Sequence, residues 1–365
     1  MPHWMKMDFH ARQPVCEGRG VMMGDYLARI RRDGSAGQML PEHLGNVAEL
    51  MAGFAAGIGL SATARLIGIL HDLGKCTAEF SAYLDWCREH SGDFSRRGTV
   101  DHASVGGQLL RRRYGAHSEE GQLAADMAAL VIFSHHSGLM NYVDKKGCAD
   151  FLRRVEKDDL LERVDLAYYY REVIGEETLD RLFAEAVGEF SALDARIESC
   201  ASEETENYHF VWGMVHKLLF SMLVDADRLD SAEFELDVRL TQEWHTEMLW
   251  GKFSVNSEKL KGFPMPQKET AKKIAGLRQK ISDDCLGAAQ NAPGIYKLSV
   301  PTGGGKTLAG MRFALRHAQL YGKKRIIFVI PYTSIIEQNA KEIRDIFGRD
   351  EAILEHHSNV LPEDI

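Results

Sequence analysis

The sequence predicts an all-α bundle over residues 1–250, a linker over 251–268, and the opening of a parallel α/β sheet over 269–365. Three observations lead there. Before residue 240 the apolar residues recur at helical spacing, with no convincing strand alternation. After residue 290 the order becomes strand, glycine-rich loop, helix, strand, helix, as in a parallel sheet. The charge changes as well: residues 1–250 carry 26 Lys+Arg against 41 Asp+Glu, net −15, and residues 251–365 carry 18 against 12, net +6.

At 365 residues the chain is longer than one ordinary domain needs. Its 45% hydrophobic and 27% charged content is that of a globular protein in water. The acidic first part argues against a broad nucleic-acid-binding face there, though not against a local groove. Six scattered cysteines form no CxxC pair, which removes zinc ribbons and dithiol redox motifs. With no signal peptide, they indicate a reducing, cytoplasmic setting. The longest apolar stretch, Leu50 to Leu60, is too short to span a bilayer, so no membrane partner is expected.

Residues 1–40 read as irregular, with a short helix over Asp25 to Arg32. A helix is expected from Pro41, a residue tolerated in a first turn, to about Phe54. A second, nearly apolar all round, runs from Leu60 to Leu73 and is read as buried, with Gly74 as its stop. A third covers Thr77 to His90. After a polar loop, His102 to Tyr114 is helical, with Arg111, Arg112 and Arg113 at the end that suits cations. Ala124 to Phe133 is another apolar helix, residues 149–200 hold two or three amphipathic ones, and Val211 to Leu229 is long and apolar. Beyond the linker, Glu269 to Ala289 is a basic amphipathic helix. Strands are expected at Ile295 to Val300 and Arg325 to Ile330, and helices from the glycine loop to Leu320 and over Thr333 to Phe347.

The chemistry centres on His71 and Asp72, adjacent at the end of a buried helix. Buried polar groups need partners or a metal. Neighbouring side chains point about 100° apart on a helix, so the pair does not chelate one ion alone. The carboxylate can instead bridge two ions. Further imidazoles and acids in or beside apolar helices are His43, His102, His135, His136 and Asp227. A lone buried histidine is most often a satisfied core residue; the ordered set carries more weight. Such ligands suit Mn, Fe, Ni, Co or Zn over Mg or Ca. Two ions bridged by Asp72 can activate water and clamp a phosphodiester during in-line displacement. Lys75 can neutralise a phosphate or a leaving oxygen.

The order His, His-Asp, His, His-His, Asp resembles the HD superfamily of metal-dependent phosphohydrolases. The phrases LHDLGK, DHASVGG, SHHSGL and LLFSMLVDADRLD are similar to the nuclease domain of the CRISPR-associated helicase-nuclease of type I interference systems, in wording closest to the subtype I-C branch. That resemblance implies an all-α HD-domain bundle followed by an incomplete α/β RecA-like fragment. It assigns ligand roles to His43, His71, Asp72, His102, His135, His136 and Asp227, catalytic roles to Asp72 and Lys75, and two divalent transition-metal ions (Mn, Ni, Co or Fe). Asp227 is preferred over Asp225 because the superfamily places its last acid in an Ala-Asp dipeptide. The implied substrate is single-stranded DNA opened by an RNA-guided surveillance complex. Arg96, Arg97 and Arg111 to Arg113 are candidate phosphate contacts, with a solvated basic face as the equal alternative. The alternative is an HD phosphohydrolase acting on a small nucleotide; a degenerate docking domain is a third reading.

Pro301-Thr302-Gly303-Gly304-Gly305-Lys306-Thr307 is a phosphate loop. Gly303, Gly304 and Gly305 let successive N–H groups face a phosphate, Lys306 reaches the β- and γ-phosphates, and Thr307 holds Mg²⁺. Val300 stands where the general pattern wants Gly or Ala. The loop, with VIPYTSIIEQNA and EHHSNV, resembles the opening motifs of a superfamily 2 helicase, which implies ATP and Mg²⁺ in the full-length family member. No acidic Walker B motif and no second RecA-like lobe follow in the sequence. The expectation is that this polypeptide alone neither hydrolyses ATP appreciably nor unwinds DNA; three readings stay open, a truncated gene product, a cut-down piece, or one half of a split protein with the rest of the helicase on a separate polypeptide.

Overall fold

A computed structural model describes residues 25–90, 95–96, 98–116, 118–143, 147, 149–157, 160–200, 205–238, 251, 269–347 and 353–356. The chain divides into two compact units, Met1–Leu240 and Thr241–Ile365. Most of the expected linker at 251–268, and Arg97, lie outside the described residues.

The first unit is a helical bundle introduced by one hairpin. Strands β1 (Leu27–Ile30) and β2 (Gly37–Met39) pair antiparallel, with Arg29 opposite Gln38 and Ile30 opposite Gly37. The short helix expected at Asp25 to Arg32 is therefore replaced by a strand. Asp33-Gly34 makes the turn: Asp33 Oδ1 accepts from the Ser35 N–H at 2.9 Å, and Gly34 adopts φ 73°.

Helix α1 (Leu40–Ala55) follows directly. Its buried stripe of Leu40, His43, Leu44, Val47, Ala48, Met51, Ala52 and Ala55 repeats every three or four residues, so His43 faces the core. Helix α2 (Ser61–Leu70) is buried along most of its length. Its N-terminus is capped from afar: Glu189 accepts from the N–H groups of Ala62 and Thr63 at 2.8 Å and from Thr63 Oγ1 at 2.9 Å. The helix ends three residues earlier than its apolar run suggests. His71 is its C-cap, and a 3-10 turn, Leu73–Lys75, follows Asp72.

The remaining helices are α3 (Ala78–Glu89), α4 (Val105–Tyr114), α5 (Glu119–Ser134), α6 (Asp150–Val155), α7 (Leu166–Glu172), α8 (Glu176–Cys200) and α9 (Thr205–Leu236). Leu44, Val47, Leu66, Ile67, Leu70, Val131, Ile132, Leu219 and Leu223 join α1, α2, α5 and α9 in one core. No helix among the described residues is long and apolar enough to cross a membrane.

The second unit contains α10 (Glu269–Ala288), α11 (Lys306–Leu320) and α12 (Thr333–Phe347). Met311 and Leu315 pack on Ile343, Ile346 and Phe347. The strands expected at Ile295 to Val300 and Arg325 to Ile330 form no ladder among the described residues. Ile327 and Val329 are 81% and 92% exposed. A strand is stabilised by its cross-strand neighbours, and neither segment has one among the described residues.

Candidate metal centre

Five separate parts of the first unit deliver the site. His43 comes from α1, His71 and Asp72 from the turn after α2, His102 from the loop before α4, His135 and His136 from the end of α5, and Asp227 from α9. All seven candidate ligands are brought together around Asp72. Oδ2 of Asp72 lies 3.2 Å from His71 Nε2 and 3.4 Å from His43 Nε2. Oδ1 lies 3.4 Å from His135 Nε2 and 3.8 Å from His102 Nε2. Asp227 Oδ1 is 3.5 Å from His43 Nε2, and His102 Nε2 is 2.8 Å from His136 Nε2.

These atoms form two potential ligand sets, His43–His71–Asp72–Asp227 and Asp72–His102–His136. Asp72 is common to both, and its two oxygens face different sets. His135 stands between them, beside Oδ1, and belongs to neither. Asp225 is exposed and lies outside both.

The imidazoles are oriented by the backbone. Nδ1–H of His71 donates to Gly68 O at 2.8 Å, that of His135 to Ile132 O at 2.7 Å, and that of His102 to Val100 O at 3.1 Å. Each bond leaves Nε2 with its lone pair directed at the centre. Tight backbone packing makes this possible. A Cβ on Gly74 would lie 2.5 Å from His102 O, and one on Gly106 would lie 2.0 Å from Leu70 O. Gly74 is therefore needed for close approach rather than as a left-handed helix stop.

The donor set fits a metal. His71 Nε2, His135 Nε2 and both oxygens of Asp72 are buried without an aligned hydrogen-bond partner. Lys75 faces only Asp72 Oδ2, so His71 Nε2, His135 Nε2 and Asp72 Oδ1 stay unsatisfied at a cost, and divalent cations satisfy this donor chemistry. Burial alone would raise the Asp72 pKa, but Lys75 and then His71 hold it well below the usual carboxylate range. Burial likewise opposes ionisation of Asp227, yet His71 and His43 help bring its pKa down to about 2. Burial depresses the His102 pKa. Burial, followed by neighbouring His135, lowers that of His136 to about 4. His71 goes the other way, because Asp72 outweighs the burial.

Lys75 is buried, its Nζ 2.7 Å from Asp72 Oδ2 and 5.5 Å from the Phe80 ring centre. Two residues given no role in the sequence reading also reach the site. Asp230 Oδ2 accepts from His43 Nδ1–H at 2.7 Å, and Arg29 Nη2 lies 3.2 Å from Asp227 Oδ1. Asp230 is one helical turn beyond Asp227, a spacing that could have flagged it. Arg29 had only the Asp-Gly turn of its hairpin as a signal. The basic cluster on α4 is largely committed elsewhere: Arg111 pairs with Asp126, and Arg113 with Asp180 and Glu176.

In the second unit the phosphate loop precedes α11. Gly303 and Gly305 adopt φ of 80° and 81°, and Gly305 is the N-cap of that helix. Arg278 Nε donates to Gly303 O at 2.8 Å, and Thr307 Oγ1 faces Asn339 Oδ1 at 3.4 Å. Left-handed glycines before a helix N-terminus suit a polyphosphate.

Comparison with protein families agrees with both halves. Residues 41–170 match the HD domain, a stretch that holds all of the candidate ligands except Asp227. Residues 262–362 match the type III restriction enzyme res subunit. No curated protein matches the chain. The chain thus carries an HD domain, of a metal-dependent phosphohydrolase family, followed by a helicase-like domain.

Proposed function

We propose that this HD domain is a metal-dependent endonuclease acting on single-stranded DNA in type I CRISPR interference. The helicase-like unit would belong to the ATP-driven motor that feeds it. The observation that carries the reading is Asp72, one buried carboxylate presenting an oxygen to each of two histidine-containing ligand sets. Two divalent ions held there would supply Lewis acidity toward a phosphodiester and a source of hydroxide near neutral pH. Asp72 sets the spacing of the two sets. His71, His102 and His135 present Nε2 rigidly because their Nδ1–H groups are engaged. Lys75 balances charge beside the shared carboxylate. In the second unit, Gly303, Gly304 and Gly305 would cradle the phosphates of ATP, with Lys306 and Thr307 at the γ-phosphate and Mg²⁺.

The choice of DNA over a small nucleotide, and of an RNA-guided surveillance complex as partner, is supported by the wording of the HD motifs and by the helicase-like unit in the same chain. The test is cleavage of circular single-stranded DNA with Mn²⁺ or Ni²⁺, beside mononucleotides, by wild type and Asp72→Ala. Linearisation of the circle by wild type alone is expected, since only internal cutting opens a circle. Turnover of mononucleotides with an intact circle would replace this reading with a nucleotide phosphohydrolase.

A further inference from the structure

We infer that Arg29 is a tethered cation competing with metal for the His43–Asp227 side of the centre, so that the Asp72–His102–His136 set loads first. This rests on the metal-centre reading above. Arg29 extends from β1, and its Nη2 lies 3.2 Å from Asp227 Oδ1 and 3.4 Å from His43 Nε2. Those two atoms are ones the first ligand set offers to an ion. Nη2 is also 3.4 Å from His43 Nδ1, so it faces the ring rather than lying in line with a lone pair. Charge on Asp227, more than directed hydrogen bonding, keeps it there.

Distance decides the consequence. An ion bound to His43 Nε2 at about 2.1 Å would lie no more than about 5.5 Å from Arg29 Nη2, given the 3.4 Å contact. Two cations that close in a largely buried site repel strongly. Either the guanidinium withdraws or the ion binds weakly. Arg29 Nε supports this, since it is buried with no hydrogen-bond partner and the guanidinium is not in a well-satisfied resting place. Lys75 adds to the asymmetry: it contacts Asp72 Oδ2, the oxygen near His43 and His71. Among the described residues, no lysine or arginine pairs with Asp72 Oδ1, the oxygen near His102.

A purely structural role for Arg29, holding Asp227 in place, predicts the opposite effect on metal binding. The test is titration of the metal-stripped full chain with Mn²⁺, followed by the loss of the free Mn²⁺ resonance. Wild type is expected to show a tight and a weak class. Arg29→Met should tighten the weak class at least tenfold and leave the tight one in place, and Arg29→Lys should keep it weak. Unchanged or weaker binding in Arg29→Met overturns the inference. Should that variant not fold, His136→Ala and Asp227→Ala decide. The first must retain only the weak class and the second only the tight one, and the reverse order overturns the inference. Uptake of no metal by wild type removes the metal-centre reading itself, and this inference with it.

Discussion

His43 donates through Nδ1 to Asp230 Oδ2 at 2.7 Å, and Asp230 is wholly buried. The same carboxylate accepts from Gln38 Nε2 and Asn46 Nδ2, each at 2.7 Å. One acid thus ties the hairpin, α1 and α9 together behind a candidate ligand and fixes its tautomer. Asp230→Ala leaves three donors without their acceptor, at about 1–3 kcal/mol for each that stays buried. Metal affinity should fall about 10–100-fold, as it does when the partner of a ligating histidine is lost. Asp230→Asn keeps the shape and loses the charge, so affinity should fall with a smaller loss of stability. Denaturant unfolding and Mn²⁺ titration measure the two effects. Unchanged affinity in Asp230→Asn would refute the orienting role.

The histidine shifts predict how metal uptake depends on pH. His71 is raised by Asp72 despite its burial, so protons compete with a metal for it at higher pH than for an ordinary imidazole. His136 is depressed to about 4 and His102 is also lowered, so their lone pairs stay free to more acidic pH. Affinity of the set containing His71 should therefore rise with pH. The set containing His102 and His136 should hold its ion further into acid. Over an acid titration, metal counts after dialysis are expected to fall from two per chain to one before the second ion leaves. Loss of both ions together would contradict the assignment.

The centre was legible because its candidate ligands sit in or beside apolar helices, where a polar group needs a reason. His71 and Asp72 end such a helix, and His135 and His136 end another. The hairpin was not legible. Its strands are four and three residues long, too short for an alternation to show. They are held by remote partners: Gln38 bonds Asp230, and Arg31 Nε donates to Phe234 O at 2.9 Å. Arg29 inherits that invisibility. Asp230 was hidden by the question of Asp225 or Asp227, although it shares a helical face with the latter. In the second unit the segments Ile295 to Val300 and Arg325 to Ile330 have strand composition, but composition cannot provide the neighbouring strand that a ladder needs.

Gly106 explains part of the DHASVGG phrase. A Cβ there would stand 2.0 Å from the carbonyl oxygen of Leu70, the residue before His71. Gly106→Ala must push α4 away from the end of α2, costing about 1–3 kcal/mol as overpacking does. Because the displaced backbone carries His71, metal affinity should fall as well. Thermal unfolding with and without Mn²⁺ tests both parts. A variant with wild-type stability and affinity would show that the helices are not in close contact.

Val300 gives the phosphate loop its own constraint. A Cβ on Gly304 would lie 2.3 Å from Val300 Cγ1 and 3.0 Å from Pro301 O. The valine occupies space that a smaller residue would leave open, which makes glycine obligatory at 304. Gly304→Ala should therefore abolish binding of a fluorescent ATP analogue. Val300→Ala removes the closer obstacle, so the double variant Val300→Ala/Gly304→Ala should recover part of the affinity, while the contact with Pro301 O limits the rescue. Equal loss in the single and double variants would place the constraint in the backbone, independent of Val300.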